Sequence, residues 1–185
     1  SCRCPDGLHG EKITLSFPSV GATENILIAA ASADGETVIL NAAREPEIAD
    51  LADFLCSCGA HISGADSGEI TVCGMKKLHS AEHTVIPDRI IASTYMAAAA
   101  VTGGDVHILD TRAEHITPVI PVFEQAGCKV DCGENSVHIS APVRLRSVQT
   151  VRTMPYPGFP TDSQAAVMAM LSVAHGTSVM IENIF

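Results

Sequence analysis

The feature that most restricts what this chain can fold into is an internal repeat of roughly 70 residues. Three segments share one pattern: NILIAAASADGETVILNA ending at Ala42, TYMAAAAVTGGDVHILDT ending at Thr111, and AAVMAMLSVAHGTSVMIEN ending at Asn183. Each is an Ala-rich apolar run, a Gly, and a short stretch of apolar and β-branched residues. The glycines are Gly35, Gly104 and Gly176, spaced 69 and then 72 residues apart. The second half of the unit recurs as well. EIADLADFLCSCGAHISG aligns with HITPVIPVFEQAGCKVDCG, matching Gly59 with Gly127, and a further strand follows each (EITVCG and SVHISA). Helical spacing of apolar residues, a Gly past the helix end and then alternation predict helix, turn and strand in that order. The unit therefore reads β-α-β-α-β-β, an α/β architecture. Unit one covers about residues 13–85 and unit two about 86–148. Unit three starts near 151 and breaks off after its first helix and strand, so a piece of a longer chain is expected.

The Ala-rich runs predict how the units pack. A helix apolar on every face is a buried helix, and alanine lets neighbours approach closely all round. Helices inside and sheets outside are expected, with Ala29, Ala30, Ala98 and Ala99 nearly inaccessible. A plain α/β sandwich with one exposed helix face is the alternative. Apolar residues make up 46% of the 185 and aromatics only 4%, which is enough for a core built from Ala, Val, Ile and Leu.

Charge narrows the function. The formal net charge is −10 and the chain has only 11 Lys and Arg. Duplex nucleic acid requires clustered cations, so nucleic acid is not expected as a partner, nor is an anionic membrane surface. A small anionic substrate stays open, because a helix N-terminus and a few arginines suffice to bind one. The seven cysteines are an odd number, at 2, 4, 56, 58, 73, 128 and 132. No apolar leader and no run of membrane-spanning length is present in the sequence given. Reduced thiols and a cytoplasmic location are the expectation. Cys2-x-Cys4, Cys56-x-Cys58 and His79-x3-His83 lack the paired spacing of a zinc site, so neither a metal nor another cofactor is expected.

Four segments are candidates for chemistry. FPSVGAT, residues 17–23, lies between a strand and a helix expected to begin near Thr23. Ser19 and Gly21 there suit a turn that offers backbone N–H groups to a phosphate; the alternative is an ordinary N-cap, with Ser19 or Thr23 capping and Glu24 in the first turn. PYPGFPTDSQ, residues 155–164, is stiffened by three prolines. Thr161 and Asp162 fall where the next helix begins: Asp162 fits a general base held on a rigid loop, or Thr161 or Asp162 is simply the N-cap. NAAREPEI, residues 41–48, reads best as an acidic first helical turn after Pro46. VIPDRI, residues 85–90, is either an anion site at Asp88 and Arg89 or a boundary with a surface ion pair.

FPSVGATENI, NAAREPEIADLADFL, VIPDRI and PYPGFPTD, in this order and at wide separations, resemble the enolpyruvyl (carboxyvinyl) transferase family that contains 5-enolpyruvylshikimate-3-phosphate synthase. Within it, FPSVGATEN and PGFPTD follow the branch acting on UDP-N-acetylglucosamine. The resemblance covers about residues 7–185. It implies an inside-out α/β barrel of repeated β-α-β-α-β-β units with buried helices (EPSP synthase-like), here incomplete. Residues 1–86 would be the last repeat of a first, catalytic domain. Residues 87–185 would be one full and one partial repeat of the second.

The implied reaction moves the enolpyruvyl group of phosphoenolpyruvate to the 3-hydroxyl of UDP-N-acetylglucosamine and releases phosphate, the first committed step of peptidoglycan synthesis. By the same resemblance Ser19, Val20 and Gly21 contact the UDP part. Asp162 takes the proton of the 3-hydroxyl as well as binding the sugar nucleotide, and Ile184 lines the nucleotide site. The family's Lys-Asn pair and its mobile Cys loop with an Arg have no counterpart here, so the chain alone is expected to be inactive. Ile91, Ala92 and Ser93 stand where the family commonly has Glu, then Ala or Thr, then Gly. Ser163 replaces a common Met. These departures leave a divergent, non-catalytic paralogue that binds UDP-sugar or a protein as the alternative.

Overall fold

A computed structural model describes residues 4–75 and 77–185. Contacts divide the chain into two compact units, Ser1–Ile86 and Pro87–Phe185. In the first, β1 (Lys12–Thr14), α1 (Val20–Ala30), β2 (Glu36–Leu40), α2 (Pro46–Ser57), β3 (His61–Ser63) and β4 (Glu69–Cys73) follow one another as the repeat predicts. The strands form one mixed sheet in the order β1-β2-β4-β3. β1 and β2 are parallel, as the α1 crossover requires. β4 runs antiparallel to both β2 and β3, with Ile39 opposite Ile70 and Ile62 opposite Val72.

The period of two explains the sheet's two faces. Ile39, Ile70 and Val72 point inward and are fully buried, while Glu36, Glu69 and Cys73 point to solvent. The helices cover the inner face. Ile48, Ala52 and Leu55 fall at i, i+4 and i+7 on α2 and give it one buried stripe. With Leu27 and Ala30 of α1 they close the core. Pro46 opens α2, where its missing N–H is no loss.

The second unit repeats the pattern with three changes. Its elements are α3 (Arg89–Thr102), β5 (Asp105–Leu109), α4 (Ala113–Ile116), α5 (Ile120–Gln125), β6 (Lys129–Cys132) and β7 (Ser136–Ser140). Then come β8 (Thr150–Arg152), a 3-10 turn (Thr161–Ser163), α6 (Gln164–Ser172) and β9 (Val179–Ile181). First, the antiparallel sheet β5-β7-β6 has no leading strand. Pro87 has no N–H to give to a ladder, and Asp88 beside it caps α3. Second, the expected second helix is split into α4 and α5, with Pro118 between them and Pro121 in the first turn of α5. Third, the left-handed residue after α3 is Gly103 (φ 64°), not Gly104. In the other two copies it is the repeat glycine itself, Gly35 (φ 96°) and Gly176 (φ 110°). The partial third copy pairs β8 with β9 in parallel and packs α6 along α3. Met96, Phe123, Val137, Ile139, Val167 and Met170 form the centre of this core.

The helices do lie on the inner faces of the sheets, and the fold is the repeated α/β fold expected. Among the described residues the sheets are open, the first of them mixed, and no barrel closes. The expectation of complete helix burial needs correction. Ala30 and Ala99 are 4% and 3% exposed, whereas Ala29 and Ala98 are exposed. Each unit stacks too few helices to surround any one of them. Ile28 on α1, and Ile91, Tyr95 and Val101 on α3, consequently stand more than 40% exposed.

On the outer face of the β5-β7-β6 sheet, Nε2 of His138 lies 2.8 Å from Oδ1 of Asp105 and its ring packs on His107. The hydrogen bond from His138 holds the Asp105 carboxyl below its ordinary 3.8, and the same bond raises His138 above 6.5. The signs give a window. The His138 contribution is present below 6.5 and fades as pH rises through the raised folded value. The Asp105 contribution is present above 3.8 and fades as pH falls through the depressed one. Thermal melts from pH 6 to 9 should show the chain losing stability relative to an Asp105→Asn variant. A gain on the alkaline side would contradict this assignment.

Candidate functional site

The first candidate segment starts α1. Ser19 is extended (φ −85°, ψ 124°) and its Oγ accepts the Ala22 N–H at 3.3 Å. It is the N-cap, so the helix begins at Val20, three residues earlier than expected. Val20 and Gly21 therefore occupy the first turn, whose N–H groups have no acceptor within the helix. Glu24 lies beyond that turn, and the first turn carries no acid. The buried Thr23 fixes the corner: its Oγ1 donates to the Ser19 carbonyl at 2.8 Å and accepts the Ala43 N–H at 3.0 Å. The cap and the phosphate readings thus coexist in one geometry, since a capped helix start also aims N–H groups outward.

Gly21 has no structural necessity. Its φ is not positive, and a Cβ there would meet nothing within 4 Å.

The second candidate segment joins β8 to α6. Thr153 pairs with Phe159 in a short bridge, and the Met154 N–H donates to the Phe159 carbonyl at 2.9 Å. Residues 153–159 thus form a closed loop around Tyr156 and Pro157. Asp162 sits in the middle of the 3-10 turn, exposed, and its carboxylate has no hydrogen-bond partner among the described residues. It caps neither the turn nor α6. That removes the capping alternative and leaves an unengaged carboxylate on a fixed turn. Its neighbours are both anchored. Thr161 Oγ1 donates to Oε2 of Glu182 at 2.8 Å, and the Ser163 hydroxyl lies 2.9 Å from that of Ser93 on α3.

Ser93 and Ser163 are each 1% exposed. Two of the departures noted in the sequence, Ser93 and Ser163, are thus joined in one buried hydrogen bond. Ile91 lies on an exposed face of α3. Ile184 follows β9, half-buried, with its N–H held by Oε1 of Glu182 at 2.5 Å.

The other two segments are structural. Asp88 Oδ1 accepts the Ile90 and Ile91 N–H groups at 2.8 and 2.9 Å, which makes it the N-cap of α3. Arg89 is buried, with its guanidinium carbon 5.8 Å from the Tyr156 ring centroid. Arg44 reaches the Asp66 carbonyl at 3.2 Å beside the start of α2.

Among the described residues no group of three His, Cys, Asp or Glu side chains is arranged to hold a metal. No described helix is long and apolar enough to cross a membrane. Cys2 lies outside the described residues. Sequence reasoning missed Glu182 and Thr153, and read Thr161 only as a possible helix cap. Their hydrogen bonds span 29 and 21 residues, and no local pattern announces them.

The sequence profile of EPSP synthase (3-phosphoshikimate 1-carboxyvinyltransferase) matches residues 4–185. The chain belongs to the EPSP synthase family. Within that family it is 49% identical over 178 residues to UDP-N-acetylglucosamine 1-carboxyvinyltransferase 2 of Caldanaerobacter subterraneus subsp. tengcongensis, covering 96% of this chain and 43% of the relative. It is 50% identical over 182 residues to UDP-N-acetylglucosamine 1-carboxyvinyltransferase of Finegoldia magna, covering 97% of this chain and 43% of that protein. The chain therefore spans less than half the length of these curated relatives. Among solved family folds, the enolpyruvyl transferase NikO from Streptomyces tendae superposes with a TM-score of 0.82 at 23% identity, over 96% of this chain and 45% of that one. EPSP synthase from Acinetobacter baumannii superposes at 0.64 and 24% identity, over 94% and 40%. The two establish the family's fold for this chain.

The open space at Gly21 yields a test of local stability. Gly21→Ala should raise the stability of the first unit by about 0.5 kcal/mol, because it removes backbone freedom from the unfolded chain without a clash. Denaturant unfolding measures it, and a loss of stability would mean that the backbone there needs glycine.

Proposed function

We propose that this chain is part of an enolpyruvyl transferase that moves the enolpyruvyl group of phosphoenolpyruvate to the 3-hydroxyl of UDP-N-acetylglucosamine. The observation that carries the reading is the exposed, unpartnered carboxylate of Asp162 on a doubly anchored turn. It occurs in a chain about half identical, along nearly its whole length, to proteins named for that reaction.

The chemistry assigns roles to the chain's own residues. The sugar 3-hydroxyl oxygen bonds to C2 of phosphoenolpyruvate, its proton passes to Asp162, and the bond from C2 to the phosphate oxygen breaks as phosphate leaves. A carboxylate of ordinary basicity is weak toward a hydroxyl, so its contribution comes from position and from accepting the proton as charge develops. Ser19, Val20 and Gly21 offer the start of α1 to the diphosphate. Ile184 gives an apolar contact to the nucleotide.

The two units fit the family's domain plan: the first as the last repeat of a catalytic domain, the second as one full and one partial repeat of the next. The uncovered apolar faces of α1 and α3 support that reading, since further helices would cover them. The product would enter peptidoglycan synthesis in the cytoplasm, and through it cell-wall biogenesis, cell shape and division.

Kinetics of the complete enzyme test Asp162. Asp162→Asn should lower kcat on the order of 10²–10⁴ with little change in UDP-sugar affinity. Near-normal turnover would take Asp162 out of the mechanism. Gly21→Ala, which the fold tolerates, should weaken UDP-N-acetylglucosamine binding because its methyl stands where the ligand approaches; unchanged affinity removes Gly21 from the site. The 185-residue chain alone should release no phosphate above background from the two substrates, since catalysis of this kind requires both to be held together.

A further inference from the structure

Three donors in the second unit converge on one side chain. Oε1 of Glu182 accepts the hydroxyl of Thr153 at 2.7 Å and the N–H of Ile184 at 2.5 Å. Oε2 accepts the hydroxyl of Thr161 at 2.8 Å. Thr153 is fully buried and closes the arrangement by accepting the Asn183 N–H at 2.8 Å. The carboxylate thus joins three places distant in sequence: the end of β8, the turn before α6, and the segment after β9.

Thr161 is the residue before Asp162, and Ile184 is one of the two donors on Oε1. We propose that Glu182 is a positioning residue, which holds the Asp162 turn through Thr161 and the Ile184 backbone directly, so that both keep one geometry. The proposal rests on Asp162 being the base.

The chemistry of the node supports this. Bonds from the Thr153 hydroxyl first, then from the Ile184 N–H and the Thr161 hydroxyl, hold the Glu182 carboxyl below its ordinary 4.5. The group is therefore ionised at neutral pH, and bonds to an ionised acceptor are the short, strong kind. On its other side the turn is tied by Ser163 to Ser93. The 3-10 turn thus has a restraint on each residue flanking Asp162, while Asp162 itself is left unbonded.

The test uses Thr161→Val, Glu182→Ala, their double variant and Glu182→Gln in the complete enzyme, with Asp162→Asn as the reference and thermal melts on each. Thr161→Val frees only the turn, so kcat should fall about ten-fold or more while KM for UDP-N-acetylglucosamine stays within about two-fold. Glu182→Ala should lower kcat by a similar factor and also raise that KM, because Ile184 loses its tether. The double variant should match Glu182→Ala in kcat rather than multiply the two losses. Glu182→Gln should recover most of the activity: its carbonyl accepts from Thr153 and Ile184, and its amide donates to the Thr161 hydroxyl.

Multiplied losses in the double variant, or a kcat loss that follows the melting temperature alone, would overturn the proposal. So would wild-type kcat in Thr161→Val and Glu182→Ala while Asp162→Asn is impaired, and in that case the base assignment stands. Near-normal kcat in Asp162→Asn removes the base assignment and the positioning role with it.

Discussion

Everything in this structure depends on small-residue helices packing against the inner face of open sheets. In the first unit Leu27 and Ala30 of α1 meet Ile39, Ile70 and Val72. In the second, Ala92, Met96, Ala99 and Ala100 of α3 meet Val137 and Ile139. Alanine keeps the helix axis close to the sheet and to the next helix. It also leaves no bulky side chain to cover the far side of the helix, and the apolar faces at Ile28 and Tyr95 stay open as a result. The burial of apolar area between helices and sheet holds each unit together.

That packing sets where chemistry can sit. Helix starts and interstrand loops emerge at the edge of each layer, and both candidate segments are of this type. Ser19 to Gly21 follow from an N-cap locked by Thr23. Asp162 follows from a proline-rich loop whose ends are bridged at Thr153 and Phe159. In the first case the groups presented are backbone N–H groups, which need only a capped helix. In the second the group presented is the Asp162 side chain, and both of its neighbours are tied, Thr161 to Glu182 and Ser163 to Ser93.

Much of this was legible in the residues. The repeat gave element order in the first unit without error of type, because apolar periodicity and glycine punctuation agree along residues 12–73. The second unit was less legible where prolines intervene. Pro87 abolishes a strand that the repeat predicts, and Pro118 with Pro121 splits a helix whose apolar spacing alone reads as continuous. The start of α1 was misplaced by three residues because Ser19 and Thr23 are both good caps, and only the extended backbone at Ser19 distinguishes them. Asp162 was ambiguous for the same reason. Asp is a good cap in general, and its side chain here makes no cap bond.

By itself the sequence determined the α/β repeat, the apolar character of the helices and the family, since these follow from local periodicity and from ordered motifs along one chain. Tertiary structure alone decided which alanines are covered, that Ser93 answers Ser163 across 70 residues, and that Thr153, Thr161 and Ile184 share the carboxylate of Glu182. The physical reason is range. Periodicity and capping act over a few residues and leave a mark in the order of the letters. A hydrogen bond between distant segments is specified only once the packed core has brought their ends within 3 Å.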